Sequence, residues 1–253
     1  MEETLDMEKI KTNNNNEEFM ETVRFLGRNH RYVRGAMRKE MIASWGKTMM
    51  VYPMRSEKDE KGRVIATTRM LHYSNTANIA YKIAFALSEG DKEFALGVST
   101  CALLHDLGQS PFGHNGEYAQ KIASENNNGG PMLHNIEGAR KTIHRHSNKI
   151  KDALNSGRII EKEAKKRGIK KDELKRRIEA GYEPDLSWKI EQETKANGNK
   201  PQKVVELIAM SAGNHNGERG HSNIEPNINR SFEDFWNIAK RTYIDVKADK
   251  EMD

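Results

Sequence analysis

Four side chains able to hold a metal or move a proton fall within thirteen residues of this sequence. They are His105, Asp106, His114 and Glu117, in the run Ala102-Leu-Leu-His-Asp-Leu-Gly-Gln-Ser-Pro-Phe-Gly-His-Asn-Gly-Glu117. Imidazole with carboxylate suits a borderline or hard divalent ion, such as Mn²⁺, Mg²⁺, Fe²⁺ or Zn²⁺, and no thiolate lies nearby to favour a softer one. Neighbours on a helix diverge by about 100°. His105 and Asp106 therefore share one ion only if a helix ends there, and Gly108 and Pro111 supply such an ending. Beyond the turn, His114 and Glu117 stand at i and i+3 on one face of a new helix, the spacing of a proton-transfer pair.

The elements that must position these groups read as helices. Phe94 to Leu104 is an apolar run that delivers His105 and Asp106 at its end, with Phe94, Val98 and Ala102 at helical spacing. Ile79, Ile83 and Leu87 repeat the pattern one segment earlier. Strand signals are nearly absent: β-branched runs are short, and no Asn-Gly or Asp-Gly turn separates alternating segments. The expected helices lie near 17–28, 32–45, 73–89, 91–107, 115–125, 135–154, 158–180, 201–213 and 231–246, which makes the fold all-α. Residues 1–16 read as a disordered arm, 126–131 and 214–230 as loops, and 183–200 as a polar excursion.

Bulk properties narrow the function classes. Of 253 residues, 36% are hydrophobic and 31% charged, enough for one sizeable polar domain. The single cysteine, Cys101, excludes an internal disulfide framework and points to a reducing compartment; its apolar neighbours make it a core residue. The longest charge-free apolar stretch, Ala95 to Leu104, is half of the roughly 20 residues a membrane span needs. The acidic start Met1 to Glu8 has no apolar core of a signal peptide. The expectation is a cytoplasmic protein with no membrane partner. Its formal charge of +5 is local: residues 158–179 carry ten Lys/Arg and five Asp/Glu, which leaves 32 of each sign elsewhere. That segment, broken at Gly168, reads as charged surface helices, either a solvated face or a site for a polyanion, nucleic acid or effector nucleotide. His30, His144, His146 and His221 have no supporting context and read as surface residues. Trp45, Trp188 and Trp236 lie in separate segments and form no stacking platform.

His72 followed by His105-Asp106 resembles the metal-binding signature of the HD-domain phosphohydrolases. The extension Gly108-x-x-Pro111-Phe112-Gly113-His114-x-Gly116-Glu117 is more specific, and resembles the dGTPase-like deoxynucleoside triphosphate triphosphohydrolases. Further stretches match in the same order: Thr68-Arg69-Met70-Leu71-His72, Met132-Leu133-His134-Asn135, Asn214-His215-Asn216 and, upstream, Lys47-Thr48-Met49-Met50-Val51. The resemblance covers roughly 45–218, within an HD domain spanning 17–253 whose charged helical elaboration is 158–180.

The resemblance implies an HD-domain helical bundle with His72, His105 and Asp106 as ligands of a divalent ion, Mn²⁺ or Mg²⁺ first, with Fe²⁺, Co²⁺, Ni²⁺ or Zn²⁺ also suited. It implies His114 as the catalytic histidine beside the α-phosphate, with Glu117 orienting it. Arg69 would contact substrate phosphate, the alternative being an ion pair with a site carboxylate. Lys47, His134, Asn135 and His215 would line the substrate site, His134 and His215 being equally suited to structural bonds. Deoxynucleoside triphosphates are the implied substrates, and a homo-oligomer the implied assembly. Two other functions fit the same residues: another HD nucleotide phosphohydrolase or phosphodiesterase, or a silent HD module that binds nucleotide or nucleic acid. Three departures stand out. The family's fourth ligand, an Asp in an Ala-Asp-x-Ile-Ala-Tyr-like stretch, has no match: either the chain is C-terminally shortened, which is the expectation, or Asp245 or Asp249 substitutes without that context. Met49 replaces a Gln that helps read the sugar, and a thioether is a poor hydrogen-bond partner. Met41 to Trp45 replaces an Arg-rich stretch.

Overall fold

The computed structural model describes residues 2–47, 60, 69–110, 113–126 and 134–214; within them, side chains 2–16, 42–47, 114, 115, 121, 124, 125 and 214 lie outside the description. The described residues form an all-α bundle without a strand among them. In chain order the helices are α1 (Glu2–Lys47), α2 (Arg69–Leu87), α3 (Lys92–Leu103), α4 (Gly113–Asn126), α5 (His134–Lys141), α6 (Ser147–Asp152), α7 (Arg158–Arg167), α8 (Lys171–Glu179), α9 (Pro184–Asn197) and α10 (Lys200–Asn214). Two π turns, Thr142–His146 and Ala153–Gly157, join α5, α6 and α7 into one rod.

The main core gathers along α1, the end of α3, α6 and α10. Leu26 and Met37 of α1, Leu104, Ile150 of α6, and Val204 and Ile208 of α10 are all fully buried. On α1 the buried positions Val23, Leu26, Val33 and Met37 recur at helical spacing, so one continuous face points inward. α1 and α3 cross at glycines: a Cβ on Gly97 would stand 2.1 Å from the Val23 carbonyl oxygen, and one on Gly27 would meet the Glu93 carbonyl. Asp91 starts α3 by accepting a hydrogen bond from the Phe94 N–H at 2.9 Å, and Arg24 of α1 grips the same carboxylate at 2.6 Å. The cap bond, with Arg24 second, holds the Asp91 carboxyl below its usual range. A second, smaller core lies apart, where Ile160 and Ala164 of α7 meet Leu174 of α8 and Leu186 of α9.

Several elements differ from those the sequence suggests. The expected helices at 17–28 and 32–45 are one helix, because Asn29 turns its side chain back to the Phe25 carbonyl and does not break the ladder. The arm expected over 1–16 is helical backbone from Glu2 onward. The polar excursion over 183–200 is instead α9, started by Pro184 in its first turn, where its missing N–H costs nothing. Gly168 does end α7, in the left-handed conformation at φ 66°. Cys101 is core, and burial pushes its thiol up to about 12. His146, expected at the surface, is buried within the first π turn, 2% exposed. Apart from Asn126 and Asn214, which end α4 and α10, the loops at 126–131 and 214–230 and the helix at 231–246 lie outside the described residues. No helix among the described residues is long and apolar enough to cross a membrane.

Candidate metal centre

The site forms where α3 ends. Leu104, 1% exposed, closes the helix by donating its N–H to the Cys101 and Thr100 carbonyls, and so pins the turn to the core. The turn then continues through Leu107 N–H to Leu104 O and Gln109 N–H to Asp106 O. His105 and Asp106 thus sit in a turn at a helix end, the geometry that lets consecutive residues face one centre. Gly108 keeps this turn against α5, since a Cβ there would lie 1.9 Å from the His134 carbonyl oxygen and 2.2 Å from Gly138 N.

The Asp106 carboxylate is the hub, and it is buried. Its Oδ2 lies 3.1 Å from Arg69 Nη1, 3.3 Å from His105 Nε2 and 3.7 Å from His72 Nε2. Its Oδ1 faces His134 Nε2 at 3.6 Å. α2 supplies Arg69 and His72 one turn apart, Arg69 buried and His72 40% exposed, so the cluster opens to solvent on the His72 side. His72, His105 and Asp106 offer three ligand atoms within 4.8 Å of one another.

The protonation pattern decides what this cluster can hold. His105 Nδ1 lies 2.5 Å from the Ala102 carbonyl oxygen. A carbonyl only accepts, so Nδ1 carries a proton, and Nε2 is the nitrogen turned toward Asp106 and open to a metal ion. Two imidazole nitrogens and a carboxylate oxygen that converge in this way fit a divalent cation. A backbone carbonyl orienting the far nitrogen is how metal-binding histidines are fixed. The residues present therefore suit the ion that the sequence implies.

Behind the hub stands a second pair. Glu117 Oε1 accepts the His134 Nδ1–H and the His134 backbone N–H, both at 2.9 Å. His134 is buried and links Glu117 to Asp106. In the sequence reading Glu117 serves His114. The structure brings it to His134, while the His114 side chain, on the second residue of α4, lies outside the described side chains. Arg69, read as a phosphate contact, has its guanidinium against Asp106. The Asn135 amide donates to the Gly213 carbonyl at 2.9 Å, tying α5 to the end of α10. Lys47 ends α1 with its side chain outside the description, and His215, Met49, Asp245 and Asp249 lie outside the described residues altogether.

Tyr73 belongs to the site and escapes the sequence reading. Its ring meets that of His105 edge-on at 5.7 Å, and the His72 and His105 rings are 5.5 Å apart. Burial, with the Asp106 charge second, pushes its phenol well above the usual value, so it remains a neutral wall. Its signal was the spacing Arg69, Tyr73, Ala77, a buried face that runs down α2 beside His72.

Comparison with curated proteins found no match, and neither did comparison with solved structures. A family model described as HD domain matches residues 69–229, more than half of the chain. That match begins at Arg69, the first residue of α2, and takes in His72, the His105-Asp106 turn and the Glu117–His134 pair. The chain belongs to the HD-domain family, which points to metal-dependent phosphohydrolase chemistry at this cluster.

Proposed function

We propose that this chain hydrolyses deoxynucleoside triphosphates to deoxynucleoside and tripolyphosphate, with a divalent ion held by His72, His105 and Asp106. The observation that carries the reading is a ligand cluster backed by the Glu117–His134 pair, Glu117 closing the stretch from Gly108 that resembles the triphosphohydrolases. When bound, Mn²⁺ or Mg²⁺ supplies neutralisation of phosphate charge and lowers the pKa of water. His105 keeps its Nε2 aimed inward through the Nδ1–H bond to the Ala102 carbonyl. Glu117 holds His134 in one orientation, ready to accept or return a proton, and the rigid pair loses little freedom during reaction. Water oxygen bonds to the α-phosphorus, the bond from that phosphorus to the 5′-oxygen breaks, and the 5′-oxygen leaves as a hydroxyl after taking a proton. His114, two residues after Phe112 on the same motif, is assigned to the α-phosphate.

Product chromatography tests this. The purified chain is incubated with each deoxynucleoside triphosphate and Mn²⁺ or Mg²⁺, beside an Asp106→Ala control. Deoxynucleoside with intact tripolyphosphate, absent from the control, is expected. Pyrophosphate or orthophosphate instead assigns a different HD phosphohydrolase reaction. One observation favours the silent alternative: Arg69 already neutralises Asp106 at 3.1 Å. That reading requires the purified chain to take up no Mn²⁺ at all.

A further inference from the structure

We propose that the exposed face of α7 binds the phosphate backbone of a nucleic acid, independently of the metal centre. Arg158, Lys162, Lys165 and Lys166 stand at i, i+4, i+7 and i+8, so they share one side of the helix. All four are exposed, and none forms an ion pair with a described residue. Two nearby carboxylates are paired with arginines outside the stripe. Glu163 accepts from Arg167 at 2.8 Å, and Glu183 takes Arg167 at 2.7 Å and Arg177 at 2.9 Å. Glu161, at the edge of the stripe, lies within electrostatic reach of Arg31 on α1. Four cations against Glu161 and the Arg167-bound Glu163 leave positive charge in excess on a rigid helix, whose own apolar residues, Ile160 and Ala164, anchor it to α8 and α9.

The form of the stripe selects among polyanions. A helix that lies on a membrane presents apolar side chains beside its cations. Those of α7 are consumed by the small core. A protein interface needs a desolvated centre of aromatic or apolar anchors, and this face has charge alone. A free nucleotide needs donors that converge, whereas these cations spread over about 12 Å of a convex helix. An extended row of phosphates matches that spread, through contacts that neutralise charge and read no sequence.

The test is fluorescence anisotropy with a labelled duplex and a labelled single strand, across 50 to 200 mM salt. Four phosphate contacts give a log–log salt slope of about −3.6 on duplex DNA, an affinity loss of about 150-fold over that range. The K162Q/K165Q/K166Q variant should reduce the slope to about −0.9. A Lys195→Gln variant on α9, whose ammonium is paired with Glu191, should leave it unchanged. Should the triple variant unfold, Lys162→Gln and Lys166→Gln made singly should each lower the slope by about one. The proposal is overturned by no binding to either nucleic acid at 50 mM salt, or by a slope that the α7 substitutions leave intact. Binding to phosphatidylserine vesicles or polyglutamate without binding to nucleic acid overturns it equally.

Discussion

Arginine clamps a carboxylate at two places in this molecule, and the surroundings differ. In the small α7–α9 unit, Glu183 meets the guanidinium groups of Arg167 and Arg177 at 2.7 and 2.9 Å, both partly solvated. Cations surround the carboxylate there, so its charge is spent. At the α3 turn, Asp106 meets one guanidinium, that of Arg69, and three imidazoles lie within 3.7 Å of its oxygens. His105 is fixed with its Nε2 turned inward. One carboxylate closes an ion-pair network and braces two helices; the other leaves donor atoms facing each other, which is what a metal ion requires.

The sharpest way to break that contrast is to remove each carboxylate. Asp106→Ala and His105→Ala should eliminate bound metal, measured by elemental analysis of the Mn²⁺-loaded chain. Turnover should fall with it by on the order of 10³-fold or more, since charge neutralisation by a bound ion is worth several kcal/mol. Glu183→Ala should leave metal content and turnover near the wild type. Metal retained at full stoichiometry in Asp106→Ala would make the two carboxylates alike and remove the catalytic reading of the cluster.

Glycines separate the two regions next. Gly108→Ala places a Cβ 1.9 Å from the His134 carbonyl oxygen, a contact with backbone that no rotamer relieves. It should destabilise the fold by about 1–3 kcal/mol or more and displace His134 from Glu117. Gly168→Ala meets nothing within 4 Å, and only its φ of +66° resists. Its cost should be about 1 kcal/mol, with the metal site untouched. Urea unfolding of both variants, beside metal content, reads the difference; equal effects would mean that the α3 turn is free to give way.

Glu117→Gln sharpens the comparison further. The amide oxygen can still accept the two N–H groups of His134, but the charge is gone. If the pair moves protons, turnover should fall roughly 10–100-fold with metal content and unfolding midpoint nearly unchanged. If turnover holds, Glu117 is a brace of the Glu183 kind.

Most of the helical fold was legible because apolar spacing and the Gly168 break are local signals. So was the cluster, since His105-Asp106 follows an apolar helix and precedes Gly108. What the sequence did not show depends on through-space contact. The pairing of Glu117 with His134 joins positions seventeen residues apart, across a segment whose path no spacing rule gives. The Arg69 side chain was left between phosphate and carboxylate, and only burial beside Asp106 placed it. α9 was missed because its apolar positions, Leu186 and Ile190, are few and pack on a core of its own rather than on the main one. The π turns give no composition signal, and His146 follows the first of them inward.

The smallest expected effect concerns pH. Arg167, with Arg177, holds the Glu183 carboxyl below its usual value of 4.5. A carboxyl lowered in the folded chain and normal in the unfolded one adds stability above about pH 4.5, and that contribution disappears as pH falls through the folded value. Wild type should therefore be more stable than Glu183→Gln at pH 7, with the gap narrowing below pH 4.5. Asp91, lowered in the same direction by the α3 cap bond with Arg24 second, titrates alike in both proteins and cancels, whereas Glu163 shares Arg167 with Glu183, so the difference reads the Arg167 network that Glu183 completes. Thermal unfolding of the pair at pH 7 and pH 3 measures it. A gap that stays constant or widens on acidification would show that Glu183 contributes through packing between α8 and α9 rather than through its charge, and the contrast with Asp106 would then be one of shape as well as charge.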